Sequence, residues 1–292
     1  MTYKRREFLK LSGSFASTAL LTGLAGNDVL SSLFDNDPKK LKAFGLQLWT
    51  LRAELPKDPQ GVLKQVASFG YKQIESFEGA KGMFWGMSNT EFKKYLDDLG
   101  MTIISSHCNI NKDFEKKVDE AAAIGMKYLM CPYLGPQKTM DAYKEKADQF
   151  NKCGEIAKKA GIRFAYHNHD YSFKPIDGVM PQDVMMQATD ASLVDYEMDI
   201  YWVVVSGQNP VEWIKKYPNR FVAGHVKDRS KSADGKSSSC IVGQGDIDFK
   251  SILKEGKKNG MKYFIVEQEE YAAAPPIDSA KADAEYMKKL SI

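Results

Sequence analysis

Eight short apolar runs, each followed by a polar turn and a helix-period segment, predict an α/β fold over residues 43–292, closed as a (β/α)8 TIM barrel in a single domain. Gly70, Gly100, Gly125, Gly161 and Gly260 stand just before strands, where a helix end needs a residue tolerant of left-handed geometry. The turn after the first run, Thr50-Leu51-Arg52-Ala53-Glu54, has no glycine, unlike the phosphate-binding turn of an open doubly wound sheet.

Taken in order, the runs predict strands at 44–49, 72–77, 102–107, 128–132, 163–167, 193–198, 221–226 and 263–267. The intervening segments predict helices at 59–69, 89–99, 114–124, 140–159, 181–187, 210–216 and 249–258. The connection 79–88, with three glycines and Met83-Phe84-Trp85, is long and apolar and reads as a lid. The stretch 230–239 reads as the most flexible segment.

Ahead of the barrel, Lys4-Arg5-Arg6-Glu7-Phe8-Leu9-Lys10 precedes a stretch from Leu11 to Asn27 with no charged residue. This pattern predicts a twin-arginine-type signal peptide over 1–26, read by the twin-arginine export machinery, then a linker over 27–42. The expected location is periplasmic or exported, with a membrane tether if the signal is not cleaved.

The 292 residues are 43% hydrophobic and 27% charged, which excludes disorder, collagen and coiled coil. Residues 1–10 carry four bases and one acid, so the remaining 37 bases balance 37 acids. A neutral body offers no basic surface for nucleic acid. The four cysteines are too few and too widely spaced for a disulfide scaffold.

In a barrel of this kind the active site is built at the C-terminal ends of the strands. All four histidines fall at such ends: His107 on the third strand, His167 and His169 on the fifth, His225 on the seventh. Asp199 follows the sixth strand and Glu267 ends the eighth. An acid directly after Phe264-Ile265-Val266 is costly unless paired or metal-bound. Imidazole and carboxylate together suit one divalent ion of the Mn, Zn, Co or Fe type.

The motifs Tyr166-His167-Asn168-His169-Asp170, Glu197-Met198-Asp199-Ile200-Tyr201-Trp202, Gly224-His225-Val226-Lys227-Asp228, Gly243-Gln244-Gly245-Asp246-Ile247-Asp248 and Val266-Glu267 occur in this order. From about Phe44 onward the chain resembles the xylose-isomerase-like barrels, which include ketose 3-epimerases, inosose dehydratases and proteins labelled sugar phosphate isomerase/epimerase. The resemblance implies a single divalent metal held by four side chains of the fifth to eighth strands. Asp199, His225 and Glu267 fall on three of these positions. The fourth, a glutamate in many epimerases, is His167 here, with His169 the next inward residue.

The resemblance implies a metal-dependent sugar isomerase or epimerase that moves a proton beside a carbonyl of an unphosphorylated sugar. The alternatives are a lyase or dehydratase acting on a 3-keto-glycoside or keto-sugar, and a non-catalytic sugar-binding barrel. Glu267, His169, His107 and Lys227 are the expected catalytic residues. Trp49, Glu75, Trp85, Trp202 and Asp228 are the expected contacts to the sugar.

Overall fold

The computed structural model describes residues 40–232 and 235–292. The expected signal peptide, and the linker as far as residue 39, lie outside them. The described chain enters at Lys40, which bridges Ser291 in antiparallel fashion.

Eight parallel strands form a closed barrel: β1 (Gly45–Gln47), β2 (Gln73–Phe77), β3 (Thr102–His107), β4 (Tyr128–Cys131), β5 (Arg163–His167), β6 (Val194–Asp199), β7 (Phe221–Val226) and, eighth around the ring, β10 (Tyr263–Val266). Between β7 and β10 lies a two-stranded antiparallel hairpin, β8 (Asp228–Lys231) and β9 (Ser237–Cys240). Within the stretch 230–239, expected to be the most flexible, residues 233–234 lie outside the described residues, while Ser230 pairs with Ser238 and Lys231 with Ser237 across this hairpin. Serine hydroxyls help to hold it, as in Ser230 Oγ to Ser238 Oγ at 3.1 Å.

Helices α1 (Pro59–Ser68), α2 (Asn89–Asp98), α3 (Phe114–Ala123), α4 (Met140–Lys159), α5 (Pro181–Ala188), α6 (Ile200–Val205), α7 (Pro210–Lys216), α8 (Phe249–Lys258) and α9 (Pro276–Lys289) join the strands or follow the last. Their starts are written in the chain. Ser88 and Glu91 form a reciprocal capping box at α2, while α1, α5 and α7 each begin with a proline, whose missing N–H costs nothing there.

The hairpin, the 3-10 helix Asp170–Phe173 and helix α9 were not among the predicted elements, and two more follow from side chains at the site. The first strand stops at Gln47 because the Gln47 side chain accepts from Trp49 N and turns the chain into a 3-10 helix, Leu48–Leu51. Helix α6 is the run Ile-Tyr-Trp-Val-Val-Val, apolar all round, and Asp199 caps it by accepting from Trp202 N at 3.2 Å.

Side chains alternate along each strand between two cores. Leu46, Ile74, Tyr166, Tyr196, Met198 and Val266 face the helices in one large apolar cluster. Tyr128, Met130, Ala165, Val222 and Ala223, with Tyr263 against them, form a small cluster of their own. By the same parity the next inward layers are polar, and they hold Glu75, Glu197, His167, Asp199 and His225. The loop expected to be a lid is packed instead: Met83, Phe84 and Trp85 are buried, and Ser76 Oγ donates to Met83 O at 2.7 Å.

Candidate metal and acid–base site

Strand register assembles the site. The β5–β6 pairing sets His167 beside Glu197, and the β6–β7 pairing sets Asp199 beside His225. Two register shifts interrupt the ladder, one between Ile74 and Glu75 and one between Tyr196 and Glu197. Bulges re-aim side chains, and these two stand at the two deepest carboxylates of the site.

The upper donors converge. His225 Nδ1 lies 3.2 Å from Glu267 Oε2 and 3.9 Å from Asp199 Oδ2, and His167 Nε2 lies 3.6 Å from the same Asp199 oxygen. Asp199, His225 and Glu267 offer ligand atoms within 4.8 Å of one another, and His167 joins this group along its Asp199 edge. A buried His/Glu/Asp cluster that can bind a metal ion is thus present. Asp199 Oδ2 is buried and faces both imidazoles. A buried carboxylate oxygen facing two imidazole nitrogens, with a second carboxylate beside it, is a donor set that fits a divalent cation.

The far sides of both imidazoles are occupied. His225 Nε2 lies 2.7 Å from Glu75 Oε1 and 3.1 Å from Glu197 Oε2, and His167 Nδ1 lies 3.0 Å from Glu197 Oε2. Burial opposes charge on His225, but Glu197 and Glu267 outweigh it and hold the ring well above its ordinary range. A bound cation would replace the proton on Nδ1, with the deeper Nε2 proton still held by Glu75 and Glu197. Glu75 also accepts from Gln47 Nε2 at 2.7 Å and Ser105 Oγ at 2.5 Å. His107 Nε2 completes the lower layer, 2.9 Å from Glu197 and 3.2 Å from Glu75. The same lower atoms of His107, His167, Glu197 and His225 form a second compact group.

Lys227 is fully buried and closes the upper layer. Its ammonium lies 2.7 Å from Asp199, 2.8 Å from Glu267 and 2.6 Å from Glu269. Burial opposes a charged lysine, but the three acids outweigh it and hold Lys227 well above its ordinary range. Burial pushes Asp199 up, against the pull of Lys227 and His225, to about 6.

The histidines at the mouth diverge. Burial pushes the His107 ring down, but Glu75 and Glu197 outweigh it and raise the group to about 9, so the ring is a cation. His169 falls to about 3, through burial and then through the positive charge of Lys227, so the ring is neutral. His169 stacks on Tyr171 and Trp202, with centroids at 5.6 and 5.7 Å, and its Nδ1 is buried without a hydrogen-bond partner.

His107, His167, His169 and Glu267 line one cavity of about 850 Å³ with Trp49 and Tyr133 at its wall. Glu75 lies beneath it, fully buried. Trp85 is buried against Phe77, centroids 4.8 Å apart, and donates to Ser76 Oγ. Trp202 reaches the site by stacking on His169. Asp228, also fully buried, accepts from four backbone N–H groups, those of Arg229, Gly243, Gly245 and Ile247, and so holds the Gly243–Asp248 motif in place. A Cβ at Gly245 would fall on this carboxylate, which is why glycine stands there.

Glu197 had no assigned role in the sequence. Its signal was parity, since it stands two residues before Asp199 on the same face of β6. Tyr133 and Glu269 lie beyond strand ends and had no pattern to reveal them.

The family model for the xylose isomerase-like TIM barrel matches residues 63–290. The chain belongs to this family. A solved sugar phosphate isomerase/epimerase from Parabacteroides distasonis is 30% identical, with a TM-score of 0.75 over 85% of this chain and 98% of that one. An inosose dehydratase of Clostridium perfringens is 32% identical over 165 residues, 51% of this chain and 55% of that protein. The chain thus spans about half the length of the curated relatives it matches. The 3-keto-D-glucoside 4-epimerase of E. coli, 13% identical with a TM-score of 0.63 over 84% of this chain and 98% of that one, shares the fold.

Proposed function

We propose that this barrel is a carbohydrate-active enzyme that removes a proton from the carbon beside a ketone of an unphosphorylated keto-sugar and then expels the β-oxygen substituent, as a lyase or dehydratase. One observation carries the acid–base assignment: His107 and His169 line a single cavity with Glu267, and their surroundings shift them in opposite directions, His107 up and His169 down. His107 is paired through Nε2 with Glu75 and Glu197, whereas the buried Nδ1 of His169 has no hydrogen-bond partner. Environments that push two titratable groups apart mark an acid and a base.

His167, Asp199, His225 and Glu267 would hold a divalent ion, which when bound polarises the ketone and acidifies the neighbouring C–H. His169 takes the C–H proton. The C–H electron pair becomes the new C=C bond, the bond from the β carbon to oxygen breaks, and the departing oxygen receives a proton from His107. The contacts of His107 with Glu75 and Glu197 both fall on Nε2, so its other nitrogen is available for that transfer. Lys227 pairs with Asp199, Glu267 and Glu269 and offsets part of their charge.

Return of the proton to another face, the isomerase or epimerase outcome, is the second reading. It is favoured by the Parabacteroides relative, whose name is sugar phosphate isomerase/epimerase. Elimination is preferred because the fifth-strand position, where many epimerases carry a glutamate base, is His167 with both nitrogens facing carboxylates. The name of the Clostridium relative, inosose dehydratase, points the same way. Export of the protein, read from residues 4–27, is part of this proposal.

The test is incubation of the metal-loaded enzyme with inosose and 3-ketoglucosides in D2O, followed by NMR. Elimination gives an unsaturated ketone and a released water or alcohol. An intact carbon–oxygen skeleton with deuterium at the α carbon or an inverted centre would establish the epimerase reading instead.

A further inference from the structure

We infer that the cavity contains an outer aromatic subsite, framed by Trp49 and Tyr133, that takes the second ring of a two-ring glycoside. This deepens the elimination reading above and rests on it for the identity of the inner ring: the ring in the outer subsite is the leaving group.

Three large apolar side chains are exposed among the described residues, Trp49 at 40%, Tyr133 at 61% and Val179 at 44%. Two of the three line the cavity that reaches Glu267 and His169. Exposed aromatic rings scattered over a surface need no explanation, but two gathered at one cavity do. They stand on well-separated parts of the rim. Trp49 follows β1 and Tyr133 follows β4, three strands apart around a ring of eight.

Both rings are pre-positioned by their neighbours. Trp49 meets Phe77 edge to face at 5.0 Å, with the Arg52 guanidinium 5.2 Å from its ring. Tyr133 stands perpendicular to His169 and Tyr171, with centroids at 5.1 and 5.5 Å. Rigid aromatic faces lose little conformational entropy on binding and suit the apolar face of a sugar or an aryl group. Asn111 and Lys112, on the β3 loop that lines the same cavity, supply hydrogen-bonding groups for a ring's hydroxyls.

The volume agrees. At about 850 Å³ the cavity lies in the upper part of the range that encloses drug-sized ligands and is much larger than one hexose fills. A single ring held against the donors at the floor leaves the aromatic rim empty. A glycoside whose keto-sugar ring occupies the floor places its anomeric oxygen toward the mouth and its second ring between Trp49 and Tyr133.

The experiment compares free 3-ketoglucose with phenyl 3-ketoglucoside and a 3-keto-glucosyl disaccharide, in the wild type and in Trp49→Ala and Tyr133→Ala, by kcat/KM and by calorimetric binding. Both side chains are substantially exposed, so their truncation leaves the fold intact. The expected result is that the two-ring compounds bind at least about tenfold more tightly than the free sugar, and that each variant reduces this ratio about tenfold, an amount consistent with loss of one aromatic contact. Equal binding of one-ring and two-ring compounds, or a ratio unchanged in both variants, overturns the subsite. Tighter binding of the two-ring compounds without turnover of any keto-sugar keeps the subsite and removes the proposed reaction.

Discussion

Glu75 Oε1 lies 2.7 Å from His225 Nε2, across the imidazole from the nitrogen that faces Glu267 and Asp199. A carboxylate behind a ligating imidazole fixes its tautomer and raises its basicity. Glu75→Gln keeps the size of the side chain but offers an amide in place of the anion. It should weaken divalent-metal affinity by about 10- to 100-fold, measured by competition with a chromophoric chelator, while the circular dichroism spectrum is retained. Unchanged affinity would show that Glu75 is a packing acid only.

Lys227 and a divalent ion neutralise the same carboxylates. Lys227→Met should lower stability in chelator by about 3–5 kcal/mol, because breaking a buried ion pair leaves unpaired charge. Added Zn²⁺ or Mn²⁺ should then raise the melting temperature of this variant by more than it raises that of the wild type. A smaller metal-induced rise in the variant would mean that the lysine helps to build the cation site rather than substituting for its charge.

Much of this arrangement was legible in the sequence. The alternation of apolar runs with helix-period segments gave all eight barrel strands, because a parallel sheet buried on both faces leaves a strong apolar signal. The four histidines, Asp199 and Glu267 stood out because polar groups at the ends of apolar strands are costly without partners. What was not legible depended on tertiary neighbours. Asp228 looked like a group for a sugar, yet its oxygens face the Gly243–Asp248 backbone. Trp85 stands on a loop but is buried by Phe77 and Ser76. Tyr133 carries no periodic signal, and its part in the cavity appears only once β4 is closed into the ring.

Asp228→Ala should therefore act on stability. It would strip an acceptor from four backbone N–H groups, and each buried donor left unsatisfied costs about 1–3 kcal/mol. The loss expected in urea denaturation is at least about 3 kcal/mol, with a fall in melting temperature on the order of 10 °C. A variant as stable as the wild type but unable to bind sugar would return Asp228 to a direct contact.

Asp283, on α9, accepts from Val242 N at 2.7 Å while its other oxygen has no partner. Burial, aided by the Asp228 charge, raises it to about 7 from an ordinary 3.8. The folded chain thus holds this proton more tightly than the unfolded one, so its contribution to stability is complete below about pH 4 and is lost as the pH rises through 7. Asp283→Asn should match the wild type near pH 4 and exceed it at pH 8, with about 4 kcal/mol as the upper bound of the difference. Parallel pH–stability curves for the two proteins would contradict this.

Elemental analysis by plasma mass spectrometry of the wild type, His225→Ala and Glu267→Ala tests the metal centre most directly. About one transition-metal ion per chain is predicted in the wild type, because both groups of converging donors share His225, and little in either variant. A wild-type protein that takes up neither Zn²⁺ nor Mn²⁺ at micromolar concentration would contradict the metal-dependent reading and leave a sugar-binding barrel.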